Sequence, residues 1–169
     1  MLRRGDLGQP LTASLYHLVI RVIRAIRGKP LFMLHEAITQ DVIGAAMAVL
    51  NELRPGLDEK LYENALVIEL LARGHTIDQQ HEFPVHYRGR WIGQLVPNLI
   101  VDGVVIADPK VVSAFNETHL AQMLGYLSIT NLEVAILLNF KEAKLHWKRV
   151  IRDRKVLTTD GTDNTDEKG

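Results

Sequence analysis

The chain of 169 residues contains no cysteine. That absence excludes a disulfide framework, thiolate catalysis, cysteine-ligated zinc and iron–sulfur clusters, and it fits a cytoplasmic protein. Net charge is missing as well. Twenty Lys and Arg cancel 20 Asp and Glu, so no global field marks a nucleic-acid or membrane protein. No apolar run reaches the roughly 18 residues needed to cross a bilayer. There is no internal repeat, no Gly-rich phosphate loop and no HExxH or other zinc spacing among the histidines. No serine sits in a nucleophile elbow. What is present is 47% apolar and 24% charged residues, the composition of one ordinary globular domain.

Charge is distributed unevenly. Residues 1–35 carry six Lys and Arg against one acid, 141–155 carry seven against two, and 157–169 carry one against four. Leu11–Lys29 reads LTASLYHLVIRVIRAIRGK, with Leu15, Leu18, Val19, Val22, Ile23 and Ile26 spaced along one helix face and Arg21, Arg24 and Arg27 between them. This is a basic amphipathic helix. It is compatible with a helix packed on the domain, an appendage, a targeting segment or a membrane-surface contact. Met33 opens the more regular part of the chain, so residues 1–32 also read as an upstream extension. The expected organisation is therefore 1–32 as basic extension, 33–155 as the domain, and 156–169 as an acidic, disordered tail.

Within the domain, apolar spacing from Ile38 to Leu53 predicts a helix stopped at Pro55-Gly56. A second helix is expected from Leu57 to Arg73, with Leu61, Ala65, Ile68 and Leu71 inward. The period then changes to two. Phe83–Tyr87, Trp91–Val101 and Val104–Ala107 read as a three-strand meander, with Asp102-Gly103 as its strongest hairpin signal. Asn116-Glu117 opens a third helix, Val134–Phe140 is a strand buried on both faces, and Leu145–Ile151 is a last strand, basic on its outer face. A meander followed by a crossover helix and a buried strand predicts a mixed α/β sheet flanked by helices.

Three polar features stand out on this scaffold. Glu59, Tyr62 and Glu63 share one face at the start of the second helix. Asn98 and Asp108-Pro109-Lys110 lie on hairpin strands that can bring them close. Gln122 and Tyr126 are one turn apart on the third helix. Each alone has a plain explanation: helix-dipole acids, a turn, a packing pair.

Together they resemble a known pattern. Gly56-x-x-Glu59-x-x-Tyr62, followed by the hairpin, Gln122-x-x-x-Tyr126 and the Leu-Leu-Asn-Phe strand ending at Phe140, resembles the GxxExxY family, itself similar to the PD-(D/E)XK nuclease superfamily. The resemblance covers about residues 36–152. It implies a restriction-endonuclease-like core that cuts phosphodiester bonds of DNA or another nucleic acid with Mg²⁺ or Mn²⁺. By position, it implies Glu59 as the helix acid, Asp108 as a strand carboxylate ligand, Lys110 as the lysine, and Gln122 and Tyr126 as the supporting helix pair. Asn98 stands where the family has an aspartate ligand, and Asp108-Pro109-Lys110 stands where it usually has Glu-x-Lys. An amide oxygen can ligate a hard cation but brings no charge. Pro109 removes a backbone donor, which suits an edge or bulge better than a central strand. Asp102 is no replacement for Asn98, because four extended residues separate them by roughly 13 Å. The expectations are a partly degenerate Mg²⁺-dependent nuclease or, alternatively, an inactive nucleic-acid-binding or protein-interaction domain. The basic run Lys141–Lys155 favours nucleic acid.

Overall fold

The computed structural model describes residues 34–152. The chain divides into two units, 1–34 and 35–169; the described residues belong to the second, apart from Leu34. The basic helix expected at 11–29 and the acidic tail expected at 156–169 lie outside the described residues. Among those described, no helix is long and apolar enough to cross a membrane.

Helix α1 (Glu36–Leu53) buries Val42, Ile43, Ala46, Val49 and Leu50. It ends where Arg54 and Gly56 adopt positive φ, 63° and 115°. Glycine is the residue that takes such a φ without a Cβ clash, so the chain turns at Pro55-Gly56 as its sequence demands. Helix α2 (Glu59–Ala72) follows directly. Its inward face is not the one expected. Leu61, Ile68 and Leu71 are exposed, Ile68 by 70%, while Tyr62, Glu63, Leu66 and Leu70 are buried. Tyr62 sets this rotation. Its ring stacks on Phe140 at 4.6 Å between centroids. Its hydroxyl donates to the Arg54 carbonyl (2.6 Å) and accepts the Leu57 amide (3.2 Å), so the turn itself holds the helix face.

The expected meander is also divided differently. A short strand β1 (Ile77–Gln79) comes first, then β2 (Phe83–Tyr87) and β3 (Arg90–Leu95), which pair only with each other as a separate ribbon. The single strand expected over Trp91–Val101 breaks at Val96-Pro97-Asn98 into β3 and β4 (Leu99–Val101). Pro97 has no donor to continue a ladder. β4 turns at Asp102-Gly103, both at positive φ, into β5 (Val105–Lys110). Helix α3 (Glu117–Thr130) starts at Asn116, whose side chain accepts the His119 amide while His119 Nδ1 accepts the Asn116 amide. It crosses over to β6 (Val134–Asn139), parallel to β5 and wholly buried, and β7 (His146–Ile151) returns antiparallel.

The main sheet runs β1-β4-β5-β6-β7. Ile100, Ile106, Ala135 and Leu137 pack with Met123 and Leu127 of α3 on one face. The alternate residues of those strands are buried on the other face, where α1 and α2 meet β5. The fold is the mixed α/β sheet flanked by helices that the sequence predicts.

Candidate active site

β5 lies in the middle of the sheet, and the alternation of its side chains puts Asp108 and Lys110 in line with Ile106 on the α3 face. Asp108 is fully buried. Its Oδ1 accepts the Lys110 ammonium at 2.9 Å, whereas Oδ2 is buried without a hydrogen-bond partner. Burial pushes the Asp108 pKa up to about 6, against the opposing pull of Lys110 and with help from the charges of Glu59 and Glu63. Lys110, its side chain only 12% exposed, also lies 3.7 Å from Glu59. Burial disfavours its charge, but Asp108 and then Glu59 outweigh that and raise its pKa. The pair is a desolvated ion pair with one carboxylate oxygen left over.

Pro109 sits between them in a central strand, where an edge was expected. Backbone groups alternate sides along a strand. The Lys110 carbonyl accepts the Phe140 amide on the β6 side, so Pro109 faces the β4 side. There β4 pairing has already ended at Leu99↔Ala107. The missing N–H therefore breaks no ladder bond, and the Pro109 carbonyl opens toward the end of β4.

Asn98 lies at that end, one residue beyond the last β4–β5 pair. Its amide nitrogen donates to Glu63 Oε2 at 3.0 Å. Glu63, almost wholly buried, also accepts Gln79 at 2.7 Å and the Lys60 ammonium. Glu63 shares its helix face with Glu59, but the family resemblance gives it no role. Its place one turn into α2, next to a tyrosine that proves to be buried, was the available signal. Glu59, at the helix start, reaches Lys110, and Glu63 reaches Asn98, so the two acids of one helix face serve different parts of the site.

Tyr126 borders the same cluster. Burial raises its pKa, and the Asp108 charge adds to that shift. Gln122 donates to the Tyr126 hydroxyl at 2.9 Å and is exposed; it joins the cluster through Tyr126. Asp102, set aside as a ligand above, instead accepts His75 (2.7 Å) and the Thr76 amide (2.8 Å) at the far end of the hairpin. His119 caps α3.

The basic run is partly structural. Arg152 donates to the Leu127 carbonyl (3.0 Å) and to Asn131 (2.7 Å), closing the C-terminus of α3. Arg149 lies 3.7 Å from Glu36. Lys141, Lys144 and Lys148 remain exposed, and Arg154 and Lys155 lie outside the described residues.

Among the described residues, no three acids or histidines form a ready-made metal cage. The donors nevertheless suit a hard cation: the unpartnered Asp108 Oδ2 would be the anchor, with Glu59 and Glu63 near enough for their charges to act on it. Mg²⁺ is commonly held by one or two carboxylates, with water and phosphate oxygens completing its shell.

No curated protein matches the sequence closely. Two solved structures are similar: an alkaline exonuclease (LHK-Exo) from Laribacter hongkongensis, with TM-score 0.38, and LHK-Exo in complex with dAMP, with TM-score 0.39. Each is 12% identical over 66% of this chain and 78% of that one. The family model of the PD-(D/E)XK nuclease superfamily matches residues 36–150, a span that contains the whole cluster around Asp108 and Lys110. The chain belongs to the PD-(D/E)XK nuclease superfamily.

Proposed function

We propose that the chain is a divalent-metal-dependent DNA nuclease with a reduced set of ligands, a cytoplasmic member of the GxxExxY branch. The observation that carries this reading is Asp108 Oδ2, a fully buried carboxylate oxygen without a partner. Such an atom is costly to leave unsatisfied, and a cation would satisfy it. Mg²⁺ or Mn²⁺ held there would supply charge neutralisation for the scissile phosphate and a more acidic water. The protein's own groups do the rest. Lys110 stays charged beside Asp108 and can hold a phosphate oxygen as negative charge develops. Glu59 positions Lys110 and can accept a proton from water. Glu63 fixes Asn98, and Gln122 orients the Tyr126 hydroxyl toward the backbone of a bound strand.

A second reading has the low charge of the site in its favour. Asn98 brings no charge, and Asp108 loses its own as pH falls through about 6, so the site is weaker for a cation than two carboxylates would be. On that reading the domain binds nucleic acid without cutting it. Cleavage of plasmid and single-stranded DNA with Mg²⁺ or Mn²⁺ decides. Activity that Lys110→Ala abolishes selects the nuclease, and salt-sensitive binding without cleavage selects the alternative.

A further inference from the structure

The β2–β3 ribbon stands apart from the five-stranded sheet, and the catalytic geometry makes no use of it. Its inner end is anchored: Phe83 packs against the α3 core cluster, as does Tyr126. Val85, the inner half of β3 and Tyr126 line one open cavity of about 430 Å³. The ribbon is thus continuous with a residue that borders Asp108 and Lys110.

The outer end has a different character. Tyr87 and Trp91 are exposed by 61% and 64%. Arg88 and Arg90 lie between them, His86 pairs across from Trp91, and no acidic residue occurs from Phe83 to Val96. The tip is pre-formed. Arg88 and Gly89 both take positive φ, 49° and 75°, and close the Tyr87↔Arg90 pair, the two-residue turn whose twist matches a β-ribbon. The Arg88 guanidinium lies 5.3 Å from the Tyr87 ring centroid. Protein-binding hot spots also use Trp, Tyr and Arg. Two features favour nucleic acid: a segment wholly without acids, complementary to phosphate, and continuity with the Tyr126 side of the site. Exposed aromatic faces stack on unpaired bases, which a duplex does not offer.

We propose that the β2–β3 ribbon is a platform for single-stranded nucleic acid, on which Tyr87 and Trp91 stack bases, Arg88 and Arg90 hold phosphates, and the strand is led past Tyr126 toward Asp108. The destination of the strand rests on the nuclease reading above; the platform itself can be tested without cleavage. The full chain is titrated, in EDTA, into a fluorescein-labelled oligo-dT of about 20 nucleotides, longer than one typical binding site, and anisotropy is read. Trp91→Ala and Tyr87→Ala should each weaken binding about tenfold. Arg88→Gln with Arg90→Gln should flatten the salt dependence. All four side chains are exposed, and circular dichroism matching the parent shows that the variants fold. Parental affinity in the variants, equal affinity for duplex, or no oligonucleotide binding by the parent each overturns the platform. The two readings separate cleanly. Ribbon variants that bind normally while Lys110→Ala abolishes cleavage overturn the ribbon alone. Ribbon variants that lose binding, in a protein that cuts nothing with metal, overturn the nuclease alone.

Discussion

The two oxygens of Asp108 live in opposite circumstances, one paired with Lys110 and one without a partner. A folded-state pKa near 6 against 3.8 for an ordinary aspartate means that the native state holds this proton more tightly than the unfolded chain does. The stabilising contribution is full below pH 3.8 and is lost as pH rises through about 6. Asp108→Asn removes that dependence. It should raise the thermal midpoint at pH 8, by an amount equivalent to at most about 3 kcal/mol, since the raised pKa already includes the pull of Lys110, and the advantage should vanish toward pH 4. Thermal melts across that range check it. The same carboxylate should make the parent protein respond to metal: millimolar Mg²⁺ or Mn²⁺ should raise the midpoint at pH 8 and leave Asp108→Asn unmoved. Asn98→Asp sharpens the picture. It would lose the amide that bonds Glu63 Oε2 and set two carboxylates face to face. The apo protein should therefore be less stable, by roughly 1–3 kcal/mol, while cation affinity and cleavage rise. A titration showing neither change would place Asn98 outside any metal site.

Among the helices, α2 matters most, because it delivers Glu59 and Glu63 from one turn. Its rotation depends on Tyr62. Tyr62→Phe keeps the stack on Phe140 but loses both hydroxyl bonds, so it should cost about 1–2 kcal/mol in chemical denaturation. Cleavage should fall as well, because Glu59 and Glu63 lose their register with β5. Helix α2 is also where the sequence was hardest to read. Leu61, Ile68 and Leu71 make as good an apolar stripe as Leu66 and Leu70, and a buried glutamate in the true stripe disguises it. Strand β1 escaped notice because Ile77-Asp78-Gln79 has one apolar residue and sits at a sheet edge. The break at Pro97 was legible in principle, but the apolar run across it masked the change of sheet. By contrast, the Asp102-Gly103 turn, the Asn116 cap and the unbroken apolar run of β6 were plain, because each rests on local chemistry. The candidate site divides in the same way. Asp108, Lys110 and Glu59 come from the resemblance to the nuclease pattern. Glu63 does not, because its role is decided by which face of α2 turns inward.

Among the described residues, this chemistry sits on the central strand of the main sheet. β5 pairs with β4 as far as Ala107 and with β6 through Lys110, and β6 is buried at every position. Gln122 and the ribbon tip are exposed. Amide hydrogen exchange should reveal a steep gradient across a single site. The Asp108 and Lys110 amides face β6, so they should exchange only at the rate of global unfolding, whereas those of Arg88, Arg90 and Trp91 should exchange orders of magnitude faster through local opening. An Asp108 amide exchanging as fast as Trp91 would contradict the register. On the nuclease reading, a strand that reaches the buried carboxylate comes in past the groups that border it, the half-exposed Glu59 and the exposed Gln122, because no opening of the sheet short of unfolding would admit it.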